Sequence, residues 1–162
     1  MINNNINRLI FIYISVIFSF SVFGRTIFNA LNKPSTLLIV SLIILSIYLF
    51  IIKKNYQKFK FSHKYWYLFL INILIIFYIV QNSYIEYIHF FLFSNLSLIL
   101  LTKYKNKKTV IVFAVIIAII DECLQIPVTT RVFDYRDIYI NILSALSPLF
   151  LIKPLLNSKK KL

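Results

Sequence analysis

The sequence predicts an all-α protein: a polytopic transmembrane helical bundle of about six spans, with both termini cytoplasmic. Three observations predict it. First, 60% of the 162 residues are apolar and 14% are charged, with a mean hydropathy of +0.81; soluble domains are far less apolar. Second, the apolar residues gather into six segments separated by short polar or basic runs. Third, when six spans are threaded through a bilayer, 14 of the 18 Lys and Arg fall on one face and four on the other. The positive-inside rule makes the richer face cytoplasmic.

The segments run, in order, over residues 9–23, 36–52, 65–80, 84–101, 109–126 and 138–152. A hydrocarbon core of about 30 Å needs about 17–25 helical residues, and several segments are at or below that minimum. Flanking Tyr65, Trp66, Tyr67, Tyr104, Tyr135 and Tyr139 are placed to reach the interfaces. A five-span arrangement with one re-entrant segment stays open at this point. Residues 36–52 and 109–120 are continuous apolar runs, as expected of helices surrounded by lipid or other helices. Arg8 followed by an apolar run and by Ser19 and Ser21 has the outline of a signal peptide. An even number of spans places the lysines consistently, so that run is read as the first span. No internal repeat or second domain interrupts residues 1–162, and the basic tail 157–162 is expected to be disordered.

Composition also excludes several classes. One Gly leaves no phosphate-cradling glycine loop, and one Cys, Cys123, excludes an internal disulfide and a Cys-based zinc site. No cofactor is implied. The net charge of +13 does not point to nucleic acid, because the lysines sit in short runs between apolar segments. Those runs fit anionic lipid headgroups at a cytoplasmic face.

Chemistry concentrates in residues 121–141. Four of the five acidic residues lie there, namely Asp121, Glu122, Asp134 and Asp137, and the fifth, Glu86, precedes His89 by three. Helical rise converts sequence number to height: counted from the nearest lysine, His89, Asp121 and Asn141 come out roughly 21, 20 and 18 Å up. Glu86, Gln125 and Asp137 lie about one turn higher. Three helices therefore carry polar residues to one layer, although heights alone do not show that their faces meet. Glu86 and His89 are i, i+3; Asp121 and Gln125, and Asp137 and Asn141, are i, i+4, so each pair shares a helix face. Carboxylates at such depth normally pair or line a wet cavity, and Arg25, Arg131 and Arg136 are available cations.

These residues resemble the VanZ-like family of bacterial membrane proteins, named for a protein associated with resistance to the glycopeptide teicoplanin. The pattern is an acidic residue with His-Phe (Glu86, His89, Phe90), then Asp-Glu-x-x-Gln (Asp121, Glu122, Gln125). An Arg follows, then an Asp six residues on and an Asn four after that: Arg131, Asp137 and Asn141. The resemblance covers residues 86–148. It departs at Ser144 and Pro148, where the family usually has Gly, and at Phe93, where Tyr is common. It implies a role at the cell envelope and in susceptibility to glycopeptides, and supplies no reaction.

Several chemistries fit these residues, and each has a plainer reading. His89 with Glu86 has the makings of a general base and its orienting carboxylate, or of a structural bond at a helix end. Glu86, His89, Asp121, Glu122 and Asp137 are the candidate catalytic residues. They lack the tight local spacing of known metal motifs, so no metal is assigned. Arg131 and Arg136, with Gln125 and Asn141, are candidate ligand-binding groups for a lipid-linked envelope precursor or a glycopeptide-related ligand. The plainer role for the arginines is salt bridging to Asp134 and Asp137. Asn72, Ser94 and Asn95 read as helix-to-helix hydrogen-bonding groups, and Cys123 as an apolar filler. The leading expectation is a binding protein with an outward-facing polar pocket. A membrane-embedded hydrolase or transferase acting on a lipid-linked phosphate is the alternative. A small proton- or ion-coupled transporter ranks last, for want of ionisable groups in the cytoplasmic half of the spans.

Overall fold

A computed structural model describes residues 2–30, 46, 59–61, 65–80, 84–128 and 133–154. The second apolar segment, residues 36–52, lies outside them apart from Ser46, as do Arg131 and the basic tail. Five helices follow in chain order: α1 (Ile2–Ala30), α2 (Trp66–Val80), α3 (Tyr84–Tyr104), α4 (Lys107–Cys123) and α5 (Tyr135–Leu151). Among the described residues the fold is all-α apart from a two-stranded antiparallel ribbon, β1 (Phe59–Phe61) with β2 (Ile152–Pro154), in which Lys60 is opposite Lys153.

Helix boundaries follow local chemistry. α1 is longer than its apolar run, and within it Asn5–Gly24 is the one span among the described residues both long and apolar enough to cross a membrane. α3 and α4 form a hairpin closed by Lys105 and Asn106. Lys105 adopts a left-handed φ of 53°, while Asn106 caps α4 by accepting from the Lys108 amide at 3.0 Å. Below this turn Tyr104 stacks on Phe113 with ring centroids 5.0 Å apart. α4 ends at Cys123, short of Ile126, because Pro127 disfavours helical backbone in the residue before it. Asp134 caps α5, its carboxylate accepting from the Arg136 amide at 2.8 Å.

α3 and α5 form the centre. Every residue from Leu92 to Leu101 is buried, so α3 is covered on all sides. α5 packs on α2, α3 and α4, using a buried stripe that includes Asn141, Ser144, Ala145, Ser147 and Pro148; small residues there let helices approach closely. The contacts fix the directions. Asn72 on α2 donates to the Leu143 carbonyl and to Ser147 Oγ, both at 2.7 Å, and Ile76 packs with Ile140, so α2 is antiparallel to α5. On α1, Tyr13 reaches the Leu92 carbonyl (3.2 Å) and Ser21 reaches Asp121. Thus α1, α2 and α4 run towards one end, here the carboxylate end, and α3 and α5 run back. The opposite, lysine end holds the ribbon and Lys107, whose Nζ donates to the Leu149 carbonyl.

Pro148 lies within α5. It has no N–H, so the Ser144 carbonyl one turn earlier loses its helical donor. Ser94 on α3 donates its hydroxyl to that carbonyl at 2.8 Å. The neighbouring helix repairs the broken ladder and is fixed in register by doing so. Asn72 and Ser94 thus bridge helices as the sequence suggests. Cys123, read as an apolar filler, is exposed at the end of α4, while Asp121 and Glu122 face in.

Candidate functional site

The site forms where the last turn of α4 meets α1, α3 and α5. Asp121 is fully buried. Ser21 of α1 donates its hydroxyl to Oδ1, and Asn141 of α5 donates Nδ2–H to Oδ2 at 3.3 Å. His89 of α3 places Nδ1 3.9 Å from the same Oδ2 and 3.1 Å from Asn141 Oδ1. A buried carboxylate costs several kcal/mol unless partners compensate it, and here three other helices supply them.

Asn141 determines the histidine tautomer. Its Nδ2 is engaged with Asp121, so its Oδ1 faces His89 as an acceptor. In this arrangement His89 donates from Nδ1 to Asn141 Oδ1. His89 is 8% exposed.

Glu122, also buried, serves a second purpose. Its Oε2 accepts from Gln125 Nε2 at 3.1 Å and its Oε1 from the Asp134 amide at 2.8 Å. The first contact closes the turn after α4; the second ties the start of α5 to the end of α4. Two helical turns on from Asp134, this anchoring places Asn141 against Asp121. Gln125 lies beyond the end of α4, so it does not extend the Asp121 stripe as its spacing suggests, and bonds to Glu122 instead. Arg136 is 3.7 Å from Asp134 through Nε, with the two side chains 52% and 46% exposed; they form a rim above the buried groups. Asp137 is partly buried in the first turn of α5. Glu86 lies on α3 one turn before His89, with its side chain outside the described residues, as is Arg131.

The layer inferred from helical rise is thus joined by direct contacts among His89, Asp121 and Asn141. Ser21 is the participant that sequence reasoning missed. Ser15 and Ser19 on the same helix bond back to their own chain, to Phe11 and Ser15 carbonyls. One signal separates Ser21: it follows Arg8 by 13 residues, the same count by which Asp121 follows Lys108. No group of three or more His, Cys, Asp or Glu among the described residues is arranged to hold a metal.

A family model described as VanZ/LLP1 matches residues 6–157. The chain belongs to the VanZ/LLP1 family. The VanZ/LLP1 match begins within α1 and ends beyond β2, so it takes in the helix that carries Ser21 as well as the three that carry His89, Asp121 and Asn141. Nothing matches among curated proteins, and nothing matches among solved structures.

Proposed function

We propose that this VanZ/LLP1 protein is a six-span protein of the bacterial cytoplasmic membrane, with both termini inside. Its carboxylate end faces outward and binds a cell-envelope component at the outer leaflet, thereby altering susceptibility to teicoplanin-type glycopeptides. The observation that carries this reading is the built polar layer: Asp121 and Glu122 buried at one end of an apolar bundle, below the half-exposed Arg136–Asp134 pair. Charge supports the orientation. Lys60, Lys107 and Lys153 gather at the opposite end through the ribbon and the Leu149 contact, as a cytoplasmic face facing anionic headgroups requires.

The division of labour follows from burial. Asp121 and Glu122 are occupied by internal donors and hold the helices together. Ligand contact falls to the rim, where Arg136 suits a phosphate of a lipid-linked precursor. The test is Arg136→Ala in cells challenged with teicoplanin, with membrane abundance measured. At normal abundance the variant should behave like a deletion. Wild-type susceptibility in Arg136→Ala cells would remove the rim as the binding element, and an unaltered deletion strain would remove the glycopeptide connection.

A second reading draws on the fixed tautomer of His89. A histidine held at Nδ1 by Asn141 and Asp121 is arranged for general-base work at Nε2. In this reading the protein is a hydrolase or transferase acting on a lipid-linked phosphate. Turnover by the wild type in nanodiscs, lost in His89→Gln, is the expected result; no turnover across a panel of prenyl and glyceryl phosphates would set it aside.

A further inference from the structure

α1 is long enough to cross a membrane, but the span between charged ends on the α4 side is shorter than the membrane the bundle is read as crossing. On α4, exposed Lys108 precedes Asp121 by 13 residues; on α1, exposed Arg8 precedes Ser21, the partner of Asp121, by the same number. Each count is about 20 Å of helix. At the far end the first exposed ion pair, Arg136–Asp134, is tied level with Glu122 by the amide of Asp134. The apolar belt between exposed charges is therefore about 22 Å, against about 30 Å for an ordinary hydrocarbon core. On α2, Leu70, Ile71, Leu74 and Ile75 are exposed as well.

The two ends differ in how they can absorb the shortfall. Lysines at one end extend along the lipid and reach the headgroups by snorkelling. At the other, Asp134 is fixed as the cap of α5 and as the amide partner of Glu122, so its carboxylate stays level with Glu122. We propose that the exposed faces of α2 and α4 are fitted to an annulus of short-chain or thinned lipid, with the outer leaflet yielding, so that outer headgroup phosphates descend to the level of Arg136. This inference rests on the membrane-spanning reading above.

Trp66 is the sole tryptophan and is exposed at the lysine end of α2, which makes it the reporter. The full chain is reconstituted in phosphatidylcholines with monounsaturated chains of fourteen to twenty-two carbons, and brominated lipid competes for the annulus by quenching Trp66. The relative lipid affinity should be highest at fourteen or sixteen carbons and fall at least about threefold by twenty-two. A flat profile, or a maximum at eighteen or more, overturns the proposal while leaving the spanning reading intact. No quenching by any brominated lipid would overturn both. Asp134→Asn combined with Arg136→Leu removes both rim charges while keeping a capping side chain, extends the belt by about one turn, and should move the optimum to longer chains. An unmoved optimum would overturn the assignment of the thinning to the outer leaflet.

Discussion

Asn141 is the residue on which the polar layer turns, since it bonds both Asp121 and His89. His89→Ala removes the donor facing Asn141 Oδ1 and leaves a buried carbonyl unpaired, which should cost about 1–3 kcal/mol in thermal unfolding of the purified protein. His89→Gln keeps an N–H donor of similar reach and should recover most of that stability. The pair also separates the two functional readings. A histidine that only supports the layer is replaced by Gln without loss of the cellular phenotype, whereas a proton-transferring histidine is not. Asp121→Asn brings an amide N–H₂ into a pocket already supplied with donors from Ser21 and Asn141, and it too should cost about 1–3 kcal/mol. A stability equal to wild type would mean that the carboxylate is neutral in the folded protein.

At the scale of the helices, Pro148 and Ser94 form a coupled pair. Ser94→Ala alone strands the Ser144 carbonyl and should cost about 1–2 kcal/mol. In a Pro148→Ala background the helix regains its own amide donor, and the same substitution should cost much less. A double-mutant cycle with a coupling near zero would show that Ser94 is not what compensates the proline. The α3–α4 turn offers a simpler test: Lys105→Gly relieves a left-handed backbone and should raise stability by about 0.5–1 kcal/mol, read as an upward shift in melting temperature. These cases mark what the sequence makes legible. Height in a helix is proportional to residue number, so one layer containing His89, Asp121 and Asn141 is readable in advance. Azimuth is not, because small changes in crossing angle decide which serine faces inward; the count from Arg8 puts Ser21 at the height of Asp121 but does not say that it faces inward. The Asp134 cap and its amide bond to Glu122 were equally hidden. An acidic residue two positions before an arginine reads first as an ion pair, and the cap depends on where the helix begins. Pro148 is visible as a departure from the family pattern, yet its compensation by Ser94 depends on a partner helix 50 residues distant.

For the whole molecule, orientation follows from which end carries which charge. Lys60 is opposite Lys153 in the ribbon and Lys107 bonds to the end of α5, so basic groups far apart in sequence share one end. The carboxylates and Arg136 share the other. Because lysine-rich segments are retained in the cytoplasm, the α3–α4 turn should be inside and the start of α5 outside. The single native cysteine makes this measurable. In a Cys123→Ser background, Lys105→Cys should react with a membrane-impermeant maleimide only after permeabilisation. Tyr135→Cys, at a position 71% exposed in the protein, should react in intact cells. The reverse pattern would turn the polar layer towards the cytosol. It would then bring the buried carboxylates to the inner leaflet, where an extracellular glycopeptide cannot reach them and where the ligand class proposed for Arg136 would have to change.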